Sequence, residues 1–156
     1  MISLHRSLVG VILMLLAVTG CEAQHRASVT RPQFQSVRWL VGVWRGSGGA
    51  YPAFFEEYRL LNDSTIRMRA FTDSTLSVIS DSSTIAWRDG AVESRSARSV
   101  YEAVEVTPTS IRFARQGAER GGHTFTRVSA DEWTATLDPA TPDGQPTVYV
   151  MRRLRQ

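Results

Sequence analysis

Few side chains in this 156-residue chain have the chemistry of a site. Glu56 and Glu57 are adjacent, and paired carboxylates serve as acid and base in many hydrolyses. Neighbouring residues of a strand point to opposite faces, so these two cannot work as a dyad. Glu56 instead alternates with Phe54, Tyr58 and Leu60, and Glu102 alternates with Val100, Val104 and Val106. Both carboxylates are therefore expected on mostly apolar, inward strand faces, unless a bulge or a one-residue slip turns them outward. An inward carboxylate is either ionised beside a cation or protonated with a raised pKa. The chain has 18 basic residues, all arginine, so an interior arginine is the expected partner of each. Catalysis finds little else to use. His123, in "ERGGHTFTR", sits beside a turn and reads as a loop-rim residue. One histidine with no nearby cysteine makes a poor zinc site. No "GxSxG" stretch marks a nucleophilic serine. No catalytic residue and no metal site is predicted.

Those carboxylates need elements to position them. From Gly42 onward the hydrophobic period is two, and turn signals punctuate it. Candidate strands are 43–49, 53–61, 65–72, 75–80, 83–88, 91–97, 100–107, 109–115, 122–128, 132–138 and 147–154. "NDS", "TPTS", "SAD" and "PDG" supply turns, and Asp89-Gly90 is the strongest hairpin signal. The spacing leaves no room for crossover helices, so the strands should form an antiparallel meander. Closing that meander removes its exposed edges. The expected fold is all-β: an up-and-down antiparallel barrel of about 8–10 strands. Phe34, Val37, Trp39, Leu40 and Val41 recur at roughly helical spacing, so a short helical turn should precede the barrel and end at Gly42. Residues 21–33 are polar and aperiodic and read as a flexible tether, with the barrel over 34–156. Further inward positions are Ile66, Met68 and Ala70; Ile85 and Trp87; Ile111 and Phe113; and Trp133, Ala135 and Leu137. They could fill the barrel or line a cavity, since both need apolar inward residues.

The segment "WLVGVWRGSGG", Trp39–Gly49, leaves the helical turn and enters the first strand. With "PTVYVMRRLRQ" at the C-terminus, it resembles the calycins: lipocalins, fatty-acid-binding proteins and bacterial lipocalin-like domains of unknown function. In that pattern the tryptophan of an N-terminal Gly-x-Trp plugs the barrel base and a C-terminal arginine packs across it. The resemblance implies this role for Gly42, Trp44 and an arginine, Arg153 ahead of Arg152. The physics is favourable, because an indole covers a large apolar area and a guanidinium stacks on its face. The motif also resembles the nitrobindin-like haem barrels, which hold iron through a histidine near the C-terminus. "VYVMRRLRQ" has none, so no cofactor is expected.

The chain opens "MISLHRSLVGVILMLLAVTGC". Leu8–Val18 is an apolar run of 11 residues, too short to span a bilayer but suited to a secretory signal. "VTGC" resembles the lipobox of bacterial lipoproteins, and Cys21 is the only cysteine. The resemblance implies a signal peptide over 1–20, acylation of Cys21 and attachment to a membrane. Glu22 follows; aspartate there would hold a lipoprotein at the inner membrane, so the outer membrane is favoured. Removing residues 1–20 takes away Arg6 and leaves 17 arginines against 15 acids, scattered along the chain. That balance argues against a nucleic-acid partner. The lack of lysine excludes P-loop and Schiff-base chemistry.

The expected function is therefore a lipid-anchored envelope protein whose barrel binds a small, largely apolar ligand with a polar or ionic handle. Glu56, Tyr58, Met68, Trp87 and Glu102 are the candidate lining. A filled barrel that docks other envelope components is the alternative. A hydrolase using an interior carboxylate, with or without His123, comes last.

Overall fold

A computed structural model describes residues 28–49, 51–117, 121–139 and 141–155. The proposed signal peptide, Cys21 and Glu22 lie outside the described residues. A short helix, α1 (Arg31–Ser36), runs into a 3₁₀ turn over Val37–Leu40. Ten strands follow: β1 (Gly42–Gly48), β2 (Tyr51–Asn62), β3 (Thr65–Phe71), β4 (Ile79–Arg88), β5 (Ala91–Ser96), β6 (Val100–Val106), β7 (Ser110–Arg115), β8 (Gly122–Arg127), β9 (Glu132–Leu137) and β10 (Thr147–Arg153). Each pairs antiparallel with its sequence neighbours, and β1 pairs with β10 to close the barrel. The described residues thus form an all-β, up-and-down, ten-stranded barrel preceded by one short helix.

The helix begins earlier than its apolar spacing implied. Thr30 caps it reciprocally with Gln33, and Pro32 sits in its first turn. Phe34, Val37 and Leu40 are fully buried against the barrel end. Residues 28–33 do not behave as a tether: Val29 is buried, and its N–H donates to the Gly90 carbonyl at 2.7 Å. That bond fastens the entering chain to the β4–β5 hairpin. The hairpin itself turns on Asp89 and Gly90, both at positive φ (49° and 83°), as a tight two-residue turn requires.

Two strand expectations are corrected. Residues 75–80 and 83–88 do not form separate strands; Ile79–Arg88 is one, and the chain before it loops around Asp73. The Asp73 carboxylate accepts the Thr75 N–H at 2.7 Å, an Asx turn that competes with strand pairing. In β6 the register slips between Ala103 and Glu105. Ala103 is buried while Val104 is 46% exposed, so the phase is opposite to the expected one until Val106.

One end of the barrel is solid. Trp44 and Trp133 are each 1% exposed, and their rings meet edge to face at 5.9 Å. Trp44 Nε1 donates to the Leu40 carbonyl at 2.7 Å. The Arg153 guanidinium lies over the Trp44 ring, 4.1 Å from its centroid, and donates to the Val41 carbonyl at 3.2 Å. Trp44 and Arg153 are direct cross-strand partners. Gly42 makes this approach possible, since a Cβ there would collide with the Arg153 guanidinium. Arg152 points the other way and bonds Glu132 at 3.0 Å on the exposed face.

Candidate functional site: a cavity at the open end

Above that base the interior is not filled. A cavity of about 390 Å³ opens at the opposite end of the barrel. Its floor is Tyr58, Ile85, Trp133 and Met151, all buried. The wall above the floor has two characters. Phe54, Tyr101, His123, Phe125 and Tyr149 make it aromatic on one side. On the other, Asp81, Ser83, Ser94 and Ser96 make it polar. The polar side follows from register: Ser83 faces Met68 on β3 and Ser96 on β5, and Ile85 faces Ser94.

Glu56 lies where the base meets the cavity. Its cross-strand neighbours are Trp44 on β1 and Ala70 on β3, neither of which can balance a charge. The Tyr58 hydroxyl donates to Glu56 Oε2 at 2.9 Å. Among the described residues no arginine pairs with it, so the expected interior ion pair is absent. Burial dominates instead: desolvation raises the Glu56 pKa to about 7, against the lowering effect of the Tyr58 hydrogen bond, and the Asp81 charge pushes it up further. Burial, with the neighbouring Glu56 carboxyl, also raises the Tyr58 hydroxyl well above its ordinary value. Glu56 is therefore poised to exchange a proton near neutrality, while Tyr58 stays a donor.

His123 is a cavity residue, not the rim residue its turn suggested. Its ring stacks among Tyr101 at 4.8 Å, Phe113 at 4.8 Å and Phe125 at 4.9 Å. Desolvation lowers its pKa to about 4, helped by Arg112, although Asp138 opposes the shift. It is a neutral, aromatic part of the wall at physiological pH.

The structure gathers Glu56, Tyr58 and Met68 around the cavity but not Trp87 or Glu102. Trp87 has the inward phase of Ile85 but lies at the closed end. Its Nε1 donates to the Val29 carbonyl at 2.6 Å, with the Arg31 guanidinium 5.6 Å from the ring centroid. It seals the base. Glu102 follows the reversed phase of β6 and faces outward, where it accepts a hydrogen bond from Gln116 at 3.3 Å. Tyr101 takes the inward place beside it. The sequence pattern does not single out the serines, because a polar residue alternating with an apolar one reads as the solvated face of a strand. His123 and Phe125 share the period-two signal, but the glycines before His123 masked it. Among the described residues no group of three histidine, cysteine or carboxylate side chains could hold a metal ion.

Fold and cavity together define a closed antiparallel β-barrel, plugged at one end and hollow at the other. No protein-family model matches the chain, and no curated protein matches it. A solved structure of a redesigned β-barrel is similar over 78% of this chain and 96% of that one, at 12% sequence identity and a TM-score of 0.39.

Proposed function

We propose that this protein is a lipid-anchored envelope protein whose lipocalin-like barrel binds a small, largely apolar ligand. The observation that carries the reading is the cavity of about 390 Å³, open at one end, with Glu56 and Tyr58 at its depth. Ligand sites commonly enclose about 300–1,000 Å³, mostly apolar with a few polar groups that fix orientation. A filled barrel that only docks partners is disfavoured by that volume. The hydrolase reading stays last, because among the described residues no hydrogen bond joins His123 to Glu56 or to a cavity serine. Native mass spectrometry of protein purified from its own envelope tests the binding reading. A small molecule bound at one per chain is expected; the bare polypeptide mass in every preparation would oppose it.

The anchor rests on "VTGC" after the apolar run. Cys21→Ser should leave an unprocessed precursor that takes up no acyl label. Unchanged labelling or processing would rule out Cys21 as the anchor.

A further inference from the structure

We infer that the cavity takes a monovalent organic cation, an amine carried on an aromatic or aliphatic body, with its nitrogen at Glu56. The inference deepens the binding reading and rests on it. The chain carries 18 arginines, yet the charged side chains lining the cavity, among the described residues, are Glu56 and Asp81 alone. Glu56 is held by a single neutral donor, the Tyr58 hydroxyl, at 2.9 Å. A buried carboxylate without a cation is costly, and a ligand ammonium is the partner that the wall does not provide. An anionic ligand would meet two carboxylates and no cation. A neutral apolar ligand would leave Glu56 unmatched.

The rest of the wall fits the same class. Phe54, Phe125, Trp133 and Tyr149 present rings, whose negative faces attract a cation and whose area suits an apolar body. Ser83 and Ser94 offer hydroxyls able to accept further N–H bonds, while the Ser96 hydroxyl already bonds Ser99 and accepts the Arg98 N–H. His123 adds no opposing charge, because burial keeps it neutral. The titratable groups around Glu56 are Tyr58 on its own strand, Asp81 on β4, and Tyr101, His123 and Tyr149 across the cavity. Where Glu56 is protonated before an ammonium binds, the proton leaves to solvent and an ammonium–carboxylate pair remains.

Three probes of matched shape test this: 2-phenylethylamine, 2-phenylethanol and 3-phenylpropionate. Each is titrated against the intact protein at pH 7.5 by isothermal titration calorimetry, which reads binding without assigning it to one of the four tryptophans. The amine should bind at least about tenfold more tightly than the alcohol or the acid, as a charge-assisted hydrogen bond requires. Glu56→Gln, which keeps the shape, should weaken the amine by about tenfold or more and leave the alcohol nearly unchanged. Asp81→Asn, at the exposed rim, should weaken the amine by only about twofold to threefold, since exposed charges are screened. Alcohol or acid binding as tightly as the amine would overturn the charge class while leaving the cavity a binding site. An amine indifferent to Glu56→Gln would do the same. Absence of binding by all three, up to millimolar concentration, would overturn both the inference and the reading beneath it.

Discussion

Replacing Trp44 by Ala is expected to lower folding stability by about 3–5 kcal/mol, the range for large aromatic truncations in a core. The side chain is 1% exposed and meets Trp133 edge to face. Its loss leaves a void at the barrel base that the rigid closed sheet cannot collapse to fill. It also removes the N–H partner of the Leu40 carbonyl, which ties the helical turn to β1. Arg153→Ala should cost less, about 1–2 kcal/mol, because the guanidinium is partly in water and its stacking gain is modest. The two losses should not add. The guanidinium sits 4.1 Å over the indole, so once either is gone the other has less to lose. Urea unfolding of both single mutants and the double mutant measures the coupling. Additive losses would mean that the stack contributes nothing to stability.

A second large effect appears only on titration. Glu56 has its pKa raised from 4.5 to about 7. Its contribution to stability is therefore complete below pH 4.5 and is lost as pH rises through 7. His123 has its pKa lowered from 6.5 to about 4. Its contribution is complete above pH 6.5 and is lost as pH falls through 4. Between about pH 4.5 and 6.5 the two slopes oppose each other, so the pair should nearly cancel in the wild-type protein. Glu56→Gln should uncover the His123 slope, making the protein gain about 2 kcal/mol as pH rises across that window, allowing for water at the cavity mouth. His123→Gln should uncover the Glu56 slope, with a loss of similar size as pH rises towards 7.5. Urea midpoints at half-unit pH steps give both curves, and the difference from wild type removes the common background of surface carboxylates. A difference curve for Glu56→Gln that is flat with pH would show that its carboxyl is solvated like a surface one.

Much of the barrel could be read from the chain. Period-two alternation identified the inward residues of β3, β7 and β9, because their two faces differ sharply in polarity. Ile66, Ile111, Phe113 and Trp133 are all fully buried. In β6 both faces carry apolar residues, so Val100–Val106 fits either phase. Alternation alone could not locate the bulge that follows Ala103. Glu102, expected inward, faces outward for that reason. Glu56 is inward, as its alternation implies, but no arginine meets it among the described residues. Composition supplies arginines without saying which face they occupy, and only the assembled wall shows that none lines the cavity among the described residues. The hollow itself was not legible. It depends on serine being inward at Ser83, Ser94 and Ser96, where the same alternation would serve a solvated sheet equally well.

The central claim is that the open half of the barrel is a binding cavity rather than a surface dimple. The direct measurement is a titration with the neutral apolar dye N-phenyl-1-naphthylamine, comparing wild type with Ser94→Trp. Ser94 lines the cavity between Ile85 and Tyr101, so an indole there fills the space with little strain on the base. Wild type should enhance and blue-shift the dye's emission with one site per chain. Ser94→Trp should abolish the enhancement while still unfolding cooperatively in urea. Equal enhancement by the two proteins would place the dye on the outer surface and contradict the account.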